Sequence, residues 1–168
     1  MLTRQELKDA LSEEIRLVRH IATKLDASRL DYRPTEGQRT TLELMRYLAM
    51  CGIGPAAACA AGSWDDIRTH MDRHAELTLD GFDAAMATQE EELHAVIDGL
   101  SEADLVEREA PLPWGVTQSL GQALHDTSLR FLVAYRMQLF LYAKQSGASE
   151  LSTHNAWLGM DAPEKAGV

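Results

Sequence analysis

Apolar residues recur along this chain at intervals of three and four, the spacing of helices that each bury one face. The first run opens at Thr3, where Glu6 completes a capping box, and Leu7, Leu11, Val18, Ile21, Ala22 and Leu25 then share a face. A second run opens at another capping box, Thr40 with Glu43, and turns Leu44, Tyr47, Leu48 and Cys51 inward. Gly52, Gly54 and Pro55 interrupt it, and the Ala-rich stretch to Ala61 reads as a turn. Ser63 opens a short helix that runs to about Ala75. The third long run lies between Leu79 and Gly99, with Phe82, Met86, Leu93, Val96, Ile97 and Leu100 inward. Ser101 to Leu105 reads as a turn, and Val106 to Gln118, with Pro111, Pro113 and Gly115, as an extended loop. Ser119 opens the fourth long helix, and Gly147 ends it. Strand-like alternation never lasts more than a few residues, and no repeat is visible. The pattern predicts an all-α four-helix bundle with a long connection between the second and third helices. The bundle occupies residues 1–147 as one domain, and the tail, 148–168, docks on it through Trp157 and Leu158.

Three polar positions interrupt this pattern in different ways. His20 falls opposite the apolar face of the first helix and is expected in solvent. Glu14 lies between Leu7 and Val18 on the apolar stripe itself. Either it reaches solvent at the stripe's edge, or it has a partner among Gln89, Tyr47, Tyr135 and Arg136, because a bare buried carboxylate is costly. Gln89 falls on the inner stripe of the third helix. The fourth helix is apolar on two sides: Leu124, Phe131, Tyr135, Leu139 and Tyr142 on one, Leu129, Val133, Met137 and Phe140 on the other. A helix of that kind is central to a bundle or packed on another chain, so a homodimer through this helix is expected, with the tail around Trp157 as the competing cover.

Composition narrows the function classes. The 168 residues carry 16 Lys and Arg against 26 Asp and Glu, a formal net charge of −10. That balance argues against a nucleic-acid surface or an anionic membrane as partner. No stretch is expected to reach the roughly 18 apolar residues of a membrane span, and the polar start has no signal-peptide core, so a cytoplasmic location is expected. Cys51 and Cys59 form no CxxC pair and read as small buried thiols. Gly52-Ile53-Gly54-Pro55 is too short for a phosphate loop.

Several segments together carry a resemblance: Asp31-Tyr32-Arg33-Pro34-Thr35-Glu36-Gly37 before the second helix, Leu100-Ser101-Glu102-Ala103-Asp104-Leu105, Pro113-Trp114-Gly115, and Tyr135-Arg136-Met137-Gln138-Leu139. In order and spacing they resemble the DinB/YfiT-like four-helix bundles over roughly residues 5–147. The resemblance implies a divalent metal such as Zn or Ni held by three histidines, one on the second helix and two spaced i, i+4 on the fourth. Some relatives are thiol-dependent S-transferases or isomerases. At the corresponding positions this chain has Tyr47, Phe131 and Tyr135. Phe offers no donor and a neutral phenol is a poor ligand, so no cofactor is expected there. These three aromatics, with Glu14 and Gln89 nearby, are instead the candidate pocket for a small organic ligand, or they simply fill the vacated volume.

Two further sets of residues have side chains suited to chemistry. Asp66, His70 and His74 share a face of the short helix, and they are the alternative metal ligands. His125 and Asp126 are adjacent, and adjacent residues diverge on a helix, so their spacing argues against a dyad. The leading functional expectation is a small-ligand-binding or structural homodimer without metal catalysis; the alternative is a metal-dependent S-transferase-like enzyme using other ligands.

Overall fold

The computed structural model describes residues 2–163. Eight α-helices and one short hairpin make up its regular structure: α1 (Arg4–Ala22), α2 (Thr41–Leu48), α3 (Ile53–Ala61), α4 (Ile67–Asp72), α5 (Leu79–Asp98), α6 (Glu102–Glu107), β1 (Glu109–Pro111), β2 (Thr117–Ser119), α7 (Leu120–Leu124) and α8 (Arg130–Gln145). A π-helical turn, His125–Leu129, joins α7 to α8 without a break in direction, and a single 3₁₀ turn, Ala27–Arg29, follows α1. The bundle is formed by α1, α5, the α2–α3 pair and the α7–α8 helix, as the sequence pattern predicts. Both predicted capping boxes are present: Thr3 with Glu6, and Thr40 with Glu43. A third, Ser101 with Asp104, makes a helix of the segment read as a turn, because the box satisfies two otherwise orphaned amides at the start of α6.

Three other segments differ from expectation. The Ala-rich stretch is helical: α3 continues from α2 after a break at residues 49–52. The break holds because the Gln89 side chain is inserted into it. Its Oε1 accepts from the amides of Gly52, 2.9 Å, and Ile53, 3.2 Å, and its Nε2 donates to the Leu48 carbonyl at 3.0 Å. Position 52 is tight for any side chain: a Cβ there would lie 3.0 Å from Gln89 Oε1 and 3.1 Å from a Leu132 methyl, so these neighbours would have to give. The composite segment Thr41–Ala61 is long and apolar enough to cross a membrane by length and composition, contrary to the sequence reading, yet 72% of its most apolar window is buried inside the bundle. The extended loop closes as the β1–β2 hairpin, with Ala110 opposite Gln118. Trp64 Nε1, donating to the Pro111 carbonyl at 2.8 Å, ties the hairpin to the bundle.

The third difference is the phase of the fourth helix. The π turn inserts one residue, which rotates everything after it by about 100° relative to a regular helix. The inner row therefore runs Leu132, Arg136, Leu139 and Ala143, all buried, while Phe131 and Tyr135 move to its edge and are half-buried. Of the predicted outer face, Phe140 is buried and Leu129, Val133 and Met137 are half-buried. The tail lies beside this helix: Leu151, Asn155 and Ala156 are buried, the Lys144 ammonium donates to the Leu151 carbonyl, and the Arg136 guanidinium donates to the Ala156 carbonyl. Trp157 and Leu158, expected to dock, are largely exposed instead, and the predicted tail beyond residue 163 lies outside the described residues. His20 is not in free solvent either, since the Asn155 carboxamide of the tail contacts its Nε2 at 3.1 Å. Burial, with the Lys24 charge adding, holds this imidazole below its ordinary pKa.

Candidate functional site

Tyr47 projects from the last turn of α2, and Phe131 and Tyr135 from the first half of α8. Their rings meet edge to face: Tyr47 and Tyr135 have centroids 4.8 Å apart, and Phe131 and Tyr135 6.3 Å apart. The Arg39 guanidinium lies 4.2 Å from the Tyr47 ring centroid and 5.8 Å from that of Tyr135. It comes from the loop before α2, and the pull of a cation on two π faces holds that loop end against the bundle. Burial, with Cys51 and Tyr135 adding, pushes the Tyr47 phenol well above its ordinary pKa.

On the Tyr135 side of this ring pair lies a cleft of about 500 Å³. Phe131, Tyr135 and Trp114, the last at the tip of the hairpin, are its aromatic lining. Trp114 is presented by the turn at Gly115, whose φ of 84° is open to glycine and strained for other residues. The polar edge is Gln118, Asp126 and Arg130. Asp126 accepts from Gln122 Nε2 at 2.9 Å and Gln118 Nε2 at 3.3 Å, and is paired with Arg130 at 3.3 Å and with the His125 Nδ1 at 2.9 Å. Burial works to raise its pKa, and the donors from Gln122, His125, Arg130 and Gln118 outweigh it, leaving the carboxyl at about 2. It is therefore a fixed negative charge at neutral pH. On the Tyr47 side, Arg39, Glu43, Arg46, Met50 and His74 line a smaller groove of about 140 Å³.

The other two candidate pocket residues are engaged elsewhere. Both carboxylate oxygens of Glu14 face Arg136, with Nε at 2.5 Å from Oε2, so the partner is one of the four weighed from the sequence and the stripe-edge alternative does not hold. Gln89 is committed to the break between α2 and α3. The structure thus gathers Tyr47, Phe131 and Tyr135, and adds Trp114, Arg39, Arg130 and Asp126. Sequence reasoning placed Trp114 only as a landmark. The signal that could have found Trp114 is the Pro113-Trp114-Gly115 turn, which puts an exposed indole at a hairpin tip.

The residues at the implied metal position do not fit a Zn or Ni ion: one has no donor atom, and burial keeps the Tyr47 phenol protonated. The alternative set does not converge. Asp66 and His70 border a groove against α3, whereas His74 borders the groove beside Tyr47. Among the described residues no three of His, Cys, Asp and Glu are placed to share a metal ion. Cys51 is fully buried, and burial raises its thiol pKa far above the range of a reactive thiolate. His125 and Asp126, expected to diverge, are in contact, because they open the π turn and its wider winding changes where each side chain points.

No protein-family model matches this chain, and no curated protein matches it in sequence. Solved structures do match in shape. A DinB-like protein, YjoA, from Bacillus subtilis superposes with a TM-score of 0.70 at 18% identity, over 87% of this chain and 95% of that one. A sibling lethal factor precursor, DfsB, gives 0.63 at 19% identity, over 88% and 98%. A protein from Streptococcus pneumoniae gives 0.61 at 18% identity, over 88% and 93%. The TM-scores and the near-complete mutual coverage agree: the chain has the fold of the DinB-like helical proteins.

Proposed function

We propose that this chain is a small-ligand-binding member of the fold, and that its ligand is a compact uncharged aromatic molecule held in the cleft lined by Trp114, Phe131 and Tyr135. The observation that carries this reading is the composition of the cleft: three aromatic faces around about 500 Å³, with a ready-made set of polar anchors at one edge. Apolar walls with a few fixed polar groups are what a small-molecule site needs. Asp126 and Gln118 at that edge orient a donor group on the ligand, and Arg130 an acceptor. Metal chemistry has no part in this reading, since the residues at the implied ligand positions supply no imidazole.

Calorimetric titration with indole, phenol and benzamide tests it. For ligands of this size, affinities near about 1 mM are expected in the wild type. Phe131→Ala should weaken binding about tenfold or more while the helical content is unchanged. Failure of all three probes to bind, or equal binding by Phe131→Ala, would count against an aromatic site.

A further inference from the structure

A second cleft, of about 370 Å³, is lined by His125, the sequence neighbour of Asp126. Its floor is apolar, with Leu7 of α1 and Leu105 of α6, and its polar lining is Glu6, Gln122 and His125. Nδ1 of His125 is 2.9 Å from Asp126 Oδ1. Asp126 is ionised and accepts only, so the hydrogen bond places the imidazole proton on Nδ1 and leaves the Nε2 lone pair free. That is the arrangement of a histidine oriented by a carboxylate to accept a proton. Asp126 is itself fixed by Gln118, Gln122 and Arg130, so the imidazole is held by a rigid anchor. The pair opens the π turn, and such turns inside α-helices recur at functional sites.

We propose that His125 and Asp126 form a general-base site for the hydrolysis of uncharged acyl esters with an apolar body. This goes beyond ligand binding in the aromatic cleft and does not depend on it. No Ser, Thr or Cys side chain lines the second cleft, so water is the nucleophile. Nε2 of His125 takes one proton from water as the water oxygen bonds to the acyl carbon. The bond from the acyl carbon to the leaving oxygen then breaks, the leaving oxygen takes that proton from the imidazolium, and a carboxylic acid and an alcohol result. The apolar floor selects the body of the substrate. The Glu6 carboxylate, kept ionised by hydrogen bonds from the Thr3 amide and hydroxyl, disfavours anionic substrates.

Two measurements on the full chain test the site. Long-range nitrogen–proton NMR of the histidine rings should show neutral His125 protonated on Nδ1, and Asp126→Asn should abolish that preference. With p-nitrophenyl butyrate as probe, His125→Gln should lower the hydrolysis rate about a hundredfold, and Asp126→Asn should lower kcat with KM little changed. Circular dichroism melting checks that both variants fold; because the His125 ring is half-exposed, both melts are expected to coincide with wild type. A wild-type ring protonated on Nε2 overturns the proposal, as does a folded His125→Gln protein that hydrolyses the ester at the wild-type rate.

Discussion

Arg136 is 1% exposed, which places a guanidinium in the core. Three contacts make that tolerable. Glu14, on α1, takes two of its nitrogens. The Ala156 carbonyl takes another donor, and the Trp157 ring lies 5.1 Å from the guanidinium carbon. A buried pair of this kind adds little net stability, because desolvation of both ions offsets most of their attraction. Removing one partner is different, since the other charge is left buried and alone. Glu14→Leu is therefore expected to destabilise the chain by about 3–5 kcal/mol in urea unfolding. Glu14→Leu with Arg136→Met should recover most of that loss, leaving about 1 kcal/mol for the missing hydrogen bond to the tail. If the double variant is as unstable as the single, the pair acts through packing rather than charge.

At the level of elements, the two breaks in regular helix decide where the site residues go. The break between α2 and α3 depends on Gln89, which replaces the helix's own hydrogen bonds at Leu48, Gly52 and Ile53. Gln89→Leu keeps the volume and strands two amides and a carbonyl, at an expected cost of about 3 kcal/mol or more by thermal or urea unfolding. A loss under about 1 kcal/mol would mean that the break is held by Gly52 packing against Leu93 and Leu132 instead. The sequence marks Gln89 as polar on an inner stripe but contains nothing that says its partners are backbone atoms of another helix. The same limit applies to the π turn. Helical periodicity located the fourth helix, its Gly147 end and its apolar content. It carries no sign of the one extra residue at His125–Leu129 that shifts the later phase, so regular periodicity points Phe131 and Tyr135 inward where Leu132 and Arg136 belong. Short-range signals were legible for a related reason: the capping boxes at Thr3 and Thr40 are satisfied within four residues and need no tertiary information.

For the molecule as a whole, the open question raised by the fourth helix is what covers its second apolar side. A second copy, expected from the sequence, would have to use surface that the tail takes. In the monomer Phe140 is already buried, and Lys144, whose ammonium lies 5.7 Å from the Phe140 ring centroid, is fastened to the tail at Leu151. What is left for a partner is the half-buried row Leu129, Val133 and Met137. The exposed Trp157, Leu158 and Met160 add apolar surface on the tail itself. Tail docking also depends on His20, whose neutral ring accepts from Asn155, with Asp161, Lys24 and Arg16 close by. Ending the chain at Gly147 removes Leu151, Asn155 and Ala156 from the core and leaves Arg136 with Glu14 alone. The shortened chain is expected to melt at a lower temperature and to self-associate at tens of micromolar in sedimentation velocity, because uncovering Phe140 enlarges an apolar patch that monomers rarely tolerate. Val133→Glu in the shortened chain should return it to a monomer. If the full-length chain already sediments as a dimer and Val133→Glu dissociates it, the row Leu129, Val133 and Met137 suffices for pairing with the tail in place. If the shortened chain stays monomeric, the second side of the helix is not a latent contact surface, and the tail serves only to complete the core around Arg136.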